Sequence, residues 1–259
     1  MKHDFIDKHS DRRSLIHDLD PRIKVVCFML FIISVNATPS SAYRSFGLDA
    51  VLVGFWLVLS RLPLGFVFKR SLTVVPFVIL IGLFIPFLKQ GSPAATWSWA
   101  GLRFSISREG LALFGGICIK AYLSILGLIL LASSTRFTAL LHALERLRLP
   151  KLFIMIISFM YRYAFVLQDE LDQMKMAKEA RTAGGSRRVH ARVYAQMIGV
   201  LFLRAYERAE LVYLAMSSRG FTGTFRTVDG SPIRARDVVF LAGTLTTIIL
   251  IQGIGRFHV

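Results

Sequence analysis

The chain has 259 residues, of which 54 % are hydrophobic, a mean hydropathy of +0.55 and a formal net charge of +16. A water-soluble domain of this size would expose too much apolar surface, whereas a membrane protein can present that surface to lipid. The composition therefore excludes an ordinary soluble domain, and the function depends on where along the chain the positive charge lies.

Five apolar segments are predicted to be spanning helices: residues 25–37, 46–60, 72–88, 111–132 and 238–254. The fourth has the length of about 20 residues that a helix needs to cross the hydrocarbon core. The first two are short, and they would span by tilting or by extending into polar flanks. Residues 1–22 are charged and lack the apolar core of a cleavable signal peptide, so the first helix is expected to target the chain.

Basic residues alternate in density along the chain. Lys and Arg are dense in residues 1–24, sparse in the first loop, dense in 61–70, sparser in 89–108 and dense again in 134–237. Because these residues accumulate on the cytoplasmic side, the alternation predicts a cytoplasmic N-terminus, four spans, a cytoplasmic insert and a last span that ends outside.

The sequence thus predicts an all-α, multi-pass protein of the inner cell membrane. It has about five transmembrane helices and a cytoplasmic insert of long helices between the fourth and the fifth. The expected domains are 1–133 with the N-terminal cytoplasmic segment and the first four transmembrane helices, 134–237 with the insert, and 238–259 with the C-terminal transmembrane helix.

The insert is predicted to contain one short helix and two long ones. Ser134 and Thr135 can cap the short helix, which runs to about residue 148. Pro150 suits the first turn of the next helix, and no Gly or Pro then interrupts the chain up to Arg181. A third helix is expected from about residue 187 to 219. Each long helix has about 32 residues and is therefore roughly 48 Å long.

Residues 152–167, at the start of the second insert helix, leave two alternatives. This apolar run is 16 residues long and contains Ser158 and Arg162. A span here would place the basic stretch 175–236 outside, against the charge distribution. We expect the run to lie under or partly within the cytoplasmic face of the membrane, with a sixth span as the alternative.

The two long helices are predicted to end alike, each with an Arg beside a Gly break. The motifs are Ala180-Arg181 with Gly184-Gly185, and Ser218-Arg219-Gly220. A cation that complements the helix dipole and a Gly cap explain one such end. Two of them suggest a paired docking surface, since the planar guanidinium of Arg forms bidentate bonds to a partner carboxylate.

Charged residues within the predicted spans are few. Lys120 lies deep in the fourth segment and is a candidate intramembrane polar site, because such residues are costly and often functional. Snorkelling, or bonding to carbonyls of neighbouring helices, is the favoured alternative. Asp49 lies near a span end and is expected at the membrane interface. The lack of acidic residues at the midplane argues against a self-sufficient cation-coupled carrier.

Motifs for catalysis and cofactor binding are missing from the sequence. It contains no phosphate-binding loop, no G-x-S-x-G elbow and no H-E-x-x-H helix. The six histidines form no metal-ligand pattern, and Cys27 and Cys118 are interpreted as small apolar residues. We therefore expect a non-enzymatic chain without metal or cofactor. Nucleic acid is not an expected partner, because the insert also holds nine acidic residues.

A series of short motifs carries a resemblance to a known family. They are residues 17–24 (HDLDPRIK), 141–144 (LHAL), 149–150 (LP), 161–163 (YRY), 169–170 (DE), 180–181 (AR) and 218–221 (SRGF), followed by Gly223. In their order and spacing, the chain resembles the transmembrane T components of energy-coupling-factor transporters, of the CbiQ type that takes up cobalt and nickel.

The resemblance implies a non-catalytic scaffold in the lipid bilayer. Its long helices would dock on two ATP-binding-cassette ATPase subunits through Arg181 and Arg219, each entering an acidic groove. A separate metal-binding S- or M-type membrane subunit, with a small accessory membrane subunit, completes the expected partners. The family motif at both ends is Ala-Arg-Gly, from which Thr182 and Ser218 depart.

Three alternatives remain at this point. The first is a T component that serves vitamin-binding partners; the YRY and DE motifs favour the metal type instead. The second is a membrane-embedded lipid or prenyl enzyme, which would depend on the acidic cluster of Asp169, Glu170 and Asp172. The third is an autonomous channel or carrier.

Overall fold

The computed structural model describes residues 14–39, 42–88, 93–99, 102–181, 187–223 and 233–257. These residues form nine α-helices and one two-stranded hairpin. In chain order they are α1 (Pro21–Ala37), α2 (Tyr43–Ser60), α3 (Leu64–Gly82), α4 (Ile85–Leu88), β1 (Pro93–Trp99), β2 (Leu102–Ser107), α5 (Arg108–Ser134), α6 (Phe137–Arg146), α7 (Lys151–Arg181), α8 (Arg187–Ser217) and α9 (Ala235–Phe257). The predicted all-α membrane class is confirmed, with the hairpin as a small addition.

The chain divides into two compact units. One lies within Leu144–Gly230 and contains α7 and α8; we call it the helix-pair unit. The other comprises Asp4–Ala143 and Ser231–Val259 and contains α1 to α5 and α9; we call it the membrane unit.

The membrane unit has an aromatic centre. The indole of Trp56 on α2 is 1 % exposed and packs edge-on against Phe28 and Phe31 of α1, at ring-centroid distances of 4.9 and 5.2 Å. Phe240 of α9 lies on another side of the indole at 6.2 Å. These aromatic contacts add to the stabilisation from buried area and hold three helices together.

Five of the described helices are long and apolar enough to cross a membrane: α2, α3, α5, α7 and α9. The number of candidate spanning helices agrees with the prediction, but the helices in the set are not all the predicted ones. The first predicted segment forms α1, whose 17 residues cover about 25 Å, less than the roughly 30 Å of the hydrocarbon core. In its place the set includes α7, which contains the ambiguous residues 152–167.

The third predicted segment is not one helix. α3 already begins at Leu64, so Lys69 and Arg70 lie on the helix and not in a loop. The helix ends at Gly82, and α4 follows from Ile85. The break precedes Pro86, which has no amide hydrogen to donate and whose ring would clash with the carbonyl of Gly82, four residues earlier, in a continuous helix. Pro76, in contrast, is accommodated inside α3.

Between α4 and α5 the backbone forms an antiparallel hairpin, in a stretch that the sequence predicts to be a loop. Trp97 pairs with Phe104 and Trp99 with Leu102 in its register. Ser107 then caps α5, its hydroxyl accepting a hydrogen bond from the Gly110 amide at 2.9 Å. This cap fixes the start of the longest helix in the membrane unit.

Candidate functional site

The helix-pair unit consists of two antiparallel 31-residue helices, α7 and α8. Near one end, the Lys178 ammonium of α7 lies 3.9 Å from the ring centroid of Tyr194 on α8. Further along, the Arg204 guanidinium of α8 forms an ion pair with Glu170 of α7. As the residue number falls along α7 it rises along α8, so the two helices run in opposite directions.

This direction places the two predicted docking arginines far apart. Arg181 is eleven residues beyond Glu170 on α7, and Arg219 is fifteen residues beyond Arg204 on α8. At 1.5 Å per residue, roughly 40 Å of helix separates the two ends. The two motifs therefore form two separate surfaces at opposite ends of the pair, and not one joint surface.

The end of α8 is a Schellman cap. The Phe221 amide donates to the Met216 carbonyl at 3.1 Å, and the Gly220 amide donates to the Ser217 carbonyl at 3.0 Å. Gly220 has φ +78°, a left-handed conformation that costs a residue with a Cβ atom free energy. The predicted Gly220 cap is confirmed, and it leaves the Arg219 side chain exposed at the very end of the helix.

The end of α7 carries the other motif. Ala180 and Arg181 are both exposed, and Arg181 is the last residue of the helix. The predicted Gly184-Gly185 break lies outside the described residues. Lys178 and Arg181 supply positive charge in the last turn, which favours the negative end of the helix dipole.

The surface of the helix pair is unusually apolar. α7 buries Ile154 alone among its described side chains, and no described side chain of α8 is buried. Large apolar side chains such as Phe202, Leu211 and Ile198 are at least 65 % exposed. An apolar cavity of about 250 Å³ also lies between the helices, lined by residues that include Phe159, Tyr163, Val212 and Met216. Exposed apolar surface of this extent is typical of contact with lipid or another protein.

The acidic cluster of the enzyme alternative is engaged in ion pairs. Glu170 binds Arg204, and Asp172 binds Lys175 at 3.0 Å. Among the described residues, no three His, Cys, Asp or Glu side chains are grouped as metal ligands. Two of the three carboxylates on which metal-assisted lipid chemistry would depend are thus held by cations.

Lys120 has a defined partner. Its ammonium donates to the Asn36 carbonyl in the last turn of α1 at 3.2 Å. The last carbonyls of a helix lack intrahelical donors, and a cation there also complements the helix dipole. This contact favours the structural interpretation of Lys120 over a polar path through the membrane.

Asp49 is buried within the membrane unit. Its side chain is 0 % exposed, and neither carboxylate oxygen has a hydrogen-bond partner. Ser45, one turn earlier on α2, is also buried with an unpaired hydroxyl. The sequence did not predict this burial, because segment length indicates depth along the membrane, but not which face of α2 packs against other helices. The position of Asp49 at the membrane interface stays a prediction.

A buried polar cluster in the membrane unit received no role from the sequence. Lys24 is 1 % exposed and Asp237 is 3 % exposed, and the two lie at the starts of α1 and α9. The available signal was local: Asp20 before Pro21 is a typical N-cap, and its carboxylate accepts from the Arg22 amide at 2.9 Å. Nothing in the spacing pointed to Asp237, 217 residues away.

Fold and site together define a helical, multi-spanning membrane protein with a separate pair of long helices that end in exposed arginines. Among known proteins, the profile of the cobalt transport protein family, CbiQ, matches residues 12–228. The chain therefore belongs to the CbiQ family of cobalt transport proteins, a family of transporter membrane components.

Individual relatives agree with this assignment. The chain is 30 % identical to the cobalt transport protein CbiQ of Rhodobacter capsulatus over 77 % of its own length and 73 % of the relative's. It is 28 % identical to the energy-coupling factor transporter transmembrane protein EcfT of Ruminiclostridium cellulolyticum, over 85 % and 84 % of the two chains. An uncharacterised protein of Methanocaldococcus jannaschii, MJ1571, is 24 % identical over 92 % and 82 %.

Proposed function

We propose that this chain is the transmembrane coupling subunit of an ATP-driven importer of the energy-coupling-factor type, with cobalt or nickel ions as cargo. Two partner ATP-binding-cassette subunits hydrolyse ATP, and a separate metal-binding membrane subunit holds the ion, with a small accessory membrane subunit as a further partner. This chain catalyses no reaction. It transmits the motion of the ATPases to the metal-binding subunit.

The observation that carries the proposal is the separation of the two arginine ends. A pair of ATPase subunits presents two equivalent grooves, and a single chain can occupy both only with two docking points well apart. Arg181 and Arg219, exposed and roughly 40 Å apart along an antiparallel helix pair, meet that requirement. Ala180, Ser218 and Gly220 complete the two docking motifs.

The apolar surface of the helix pair supports a membrane partner. Large apolar side chains such as Phe202 and Leu211 are exposed along α8, whereas docking on a soluble ATPase would require only the ends. The metal-binding subunit, itself embedded in lipid, is the partner that suits the remaining surface.

For orientation, we propose a cytoplasmic N-terminus and a cytoplasmic coupling-helix domain over residues 134–237. With α7 along the cytoplasmic face, α1, α2, α3, α5 and α9 cross the membrane and the C-terminus lies outside. If α7 also crossed, the C-terminus would be cytoplasmic, and the basic residues of α8 would lie outside against the charge rule. A reporter that is active only outside the cell, fused after Val259, separates the two arrangements: activity supports five spans, and inactivity supports six.

The decisive experiment is copurification of the tagged chain from membranes of cells that express the whole transporter. We expect Arg181→Glu and Arg219→Glu each to weaken recovery of the ATPase, and the double variant to abolish it. Charge reversal turns attraction to a partner carboxylate into repulsion, which typically costs several kcal/mol in a desolvated contact.

A matched control is Arg208→Glu, since Arg208 is also an exposed arginine of α8 but lies in the middle of the helix. It should retain the ATPase. Normal recovery of the ATPase with the double variant would refute docking by these arginines, and a wild-type chain that purifies alone would favour an autonomous carrier.

The transported substrate is the remaining question. Relatives of similar sequence identity are named both as cobalt transport proteins and as energy-coupling factor transporter proteins. Uptake of radioactive cobalt and nickel, measured beside uptake of a set of vitamins, decides it. Metal uptake that is lost in the double arginine variant supports the proposal, and vitamin uptake alone supports the alternative T component.

A further inference from the structure

The start of α1 holds a lysine that the proposed function does not use. The Lys24 ammonium is buried within the membrane unit and donates to two backbone carbonyls, that of His17 at 3.0 Å and that of Ser134 at 3.1 Å. Asp18, Asp20 and Asp237 supply favourable negative charge. A buried ammonium is costly unless it is paired and hydrogen-bonded, so its position is strongly determined by these partners.

The Ser134 carbonyl marks the end of α5, where the insert of residues 134–237 begins. Ser134 is the last residue of α5, and from there the chain continues through α6 into the helix-pair unit. The carbonyls of a last helical turn have no intrahelical donor, and a cation there complements the dipole. Lys24 therefore caps α5 at the exit point of the insert.

Asp237 marks the other end of the insert, in the first turn of α9. One of its carboxylate oxygens accepts from the Arg234 amide and the other from the Asp20 amide, each at 2.9 Å. The first bond caps α9 immediately after the insert, and the second ties that cap to the residue that caps α1. Asp237 thus fastens the re-entry point to the start of α1.

We infer that Asp20, Lys24 and Asp237 form a junction clamp, which holds the exit and re-entry points of the insert together on the start of α1. This inference rests on the proposed function and describes how motion of the helix pair reaches the membrane unit. A displacement of the helix pair reaches the membrane unit through the two chain connections at α5 and α9, and the clamp makes them move as one with α1. These three are positioning residues for coupling, and they touch neither ATP nor cargo.

The same helices offer a matched comparison away from the connections. The Gln252 amide nitrogen of α9 donates to the Ser34 carbonyl at 2.7 Å, and it also lies within hydrogen-bond distance of the Ser34 and Thr38 hydroxyls of α1. Gln252 therefore links α9 to α1, as Asp237 does, but near the C-terminal end of α9. A role that is only structural predicts similar consequences at both places.

The test uses the assembled transporter with Lys24→Met, which keeps the length of the side chain and removes its charge, and with Gln252→Leu as the control. ATPase recovery, ATP hydrolysis, metal uptake and melting temperature are measured for each. We expect Lys24→Met to retain ATPase recovery and hydrolysis, while uptake per ATP hydrolysed falls by about tenfold, a size typical of a lost coupling energy. Gln252→Leu should lower the melting temperature but keep the ratio.

The isolated chain provides a second readout, independent of the partners. In Lys24→Met, amide hydrogen exchange should increase at the end of α5 and at the start of α9 together, and Gln252→Leu should leave both regions protected. If Lys24→Met does not fold, Asp237→Asn removes a single acceptor from the clamp and should show the same pattern more weakly.

The outcomes separate the two proposals. An unchanged ratio of uptake to hydrolysis in Lys24→Met, or an equal loss in Gln252→Leu, overturns the clamp while leaving the docking proposal intact. Exchange that increases at only one of the two connections also overturns it. A wild-type chain without any ATPase partner would overturn the proposed function, and the exchange experiment would still decide whether the clamp exists.

Discussion

The membrane unit and the helix-pair unit are both built from apolar helices, but they bury those helices very differently. In the membrane unit, Trp56, Phe28 and Phe31 are at most 1 % exposed and pack against one another. In the helix-pair unit, Phe202 and Leu211 are 70 % and 67 % exposed. The first unit has its own core, whereas the second holds most of its apolar surface for contacts outside itself.

This difference supports the division of labour in the proposed function. A unit with interlocked aromatic rings gives a fixed frame in the bilayer, because interiors of close-packed side chains transmit displacement and do not absorb it. A pair of helices with few mutual contacts can follow a partner that moves.

The largest difference in stability is expected between two variants that each lose an aromatic side chain, one in the membrane unit and one in the helix-pair unit. Trp56→Ala should destabilise the membrane unit by about 3–5 kcal/mol, because it leaves a large cavity between α1, α2 and α9. Phe202→Ala should change stability by less than about 0.5 kcal/mol, since its ring is exposed. Thermal unfolding in detergent measures both. Equal losses of stability would remove the contrast between the units.

A second comparison lies within the membrane unit and concerns two buried carboxylates. Asp237 accepts two backbone hydrogen bonds, whereas Asp49 has none. Asp237→Ala should therefore destabilise by about 1–3 kcal/mol, and Asp49→Ala should be neutral or stabilising, because it removes an unpaired buried polar group.

Melting temperature and metal uptake are measured for both variants, Asp237→Ala and Asp49→Ala. A clear loss of stability in Asp49→Ala would show that its carboxyl has a partner. Preserved stability with lost uptake would assign Asp49 a direct role in transport.

Substitutions at the C-terminal caps of α6 and α8 should give smaller changes in stability, opposite in sign to each other. α6 and α8 end in the same hydrogen-bond pattern, but the left-handed position is Arg148 in one and Gly220 in the other. Arg148→Gly should stabilise by roughly 0.5–1 kcal/mol, and Gly220→Ala should destabilise by about 1 kcal/mol.

Denaturant unfolding of the purified chain measures whether each cap substitution raises or lowers the free energy of unfolding. Gly220→Ala should also reduce ATPase recovery modestly, because it disturbs the backbone that presents Arg219. Full recovery would indicate that the arginine alone, without the cap geometry, is sufficient for docking.

Much of the helical layout was predictable. α7 begins and ends within one or two residues of its predicted limits, since Pro150 and the absence of Gly or Pro up to Arg181 are local signals. The end of α8 was predicted for the same reason, from Gly220. The start of α3 at Leu64 was missed, because Lys69 and Arg70 look like loop residues when only hydropathy is considered.

Parts of the candidate site were beyond prediction. Both arginine ends were identified from the sequence, but their separation depends on the direction in which α8 packs on α7, which composition does not encode. The burial of Asp49 and the capping of α5 by Lys24 likewise depend on contacts between residues far apart in the chain.

By itself the sequence determined the membrane character of the chain, the long helices, the Gly220 cap of α8 and the two arginine motifs. These follow from hydropathy, helix propensity and local backbone geometry, which act over a few residues. Only the tertiary structure decided that the arginine ends lie apart, that Asp49 is buried, and that Lys24 and Asp237 bring Ser134 and Arg234 to the start of α1. Those features arise from packing between helices distant in sequence, where the direction and rotation of each helix select its partners.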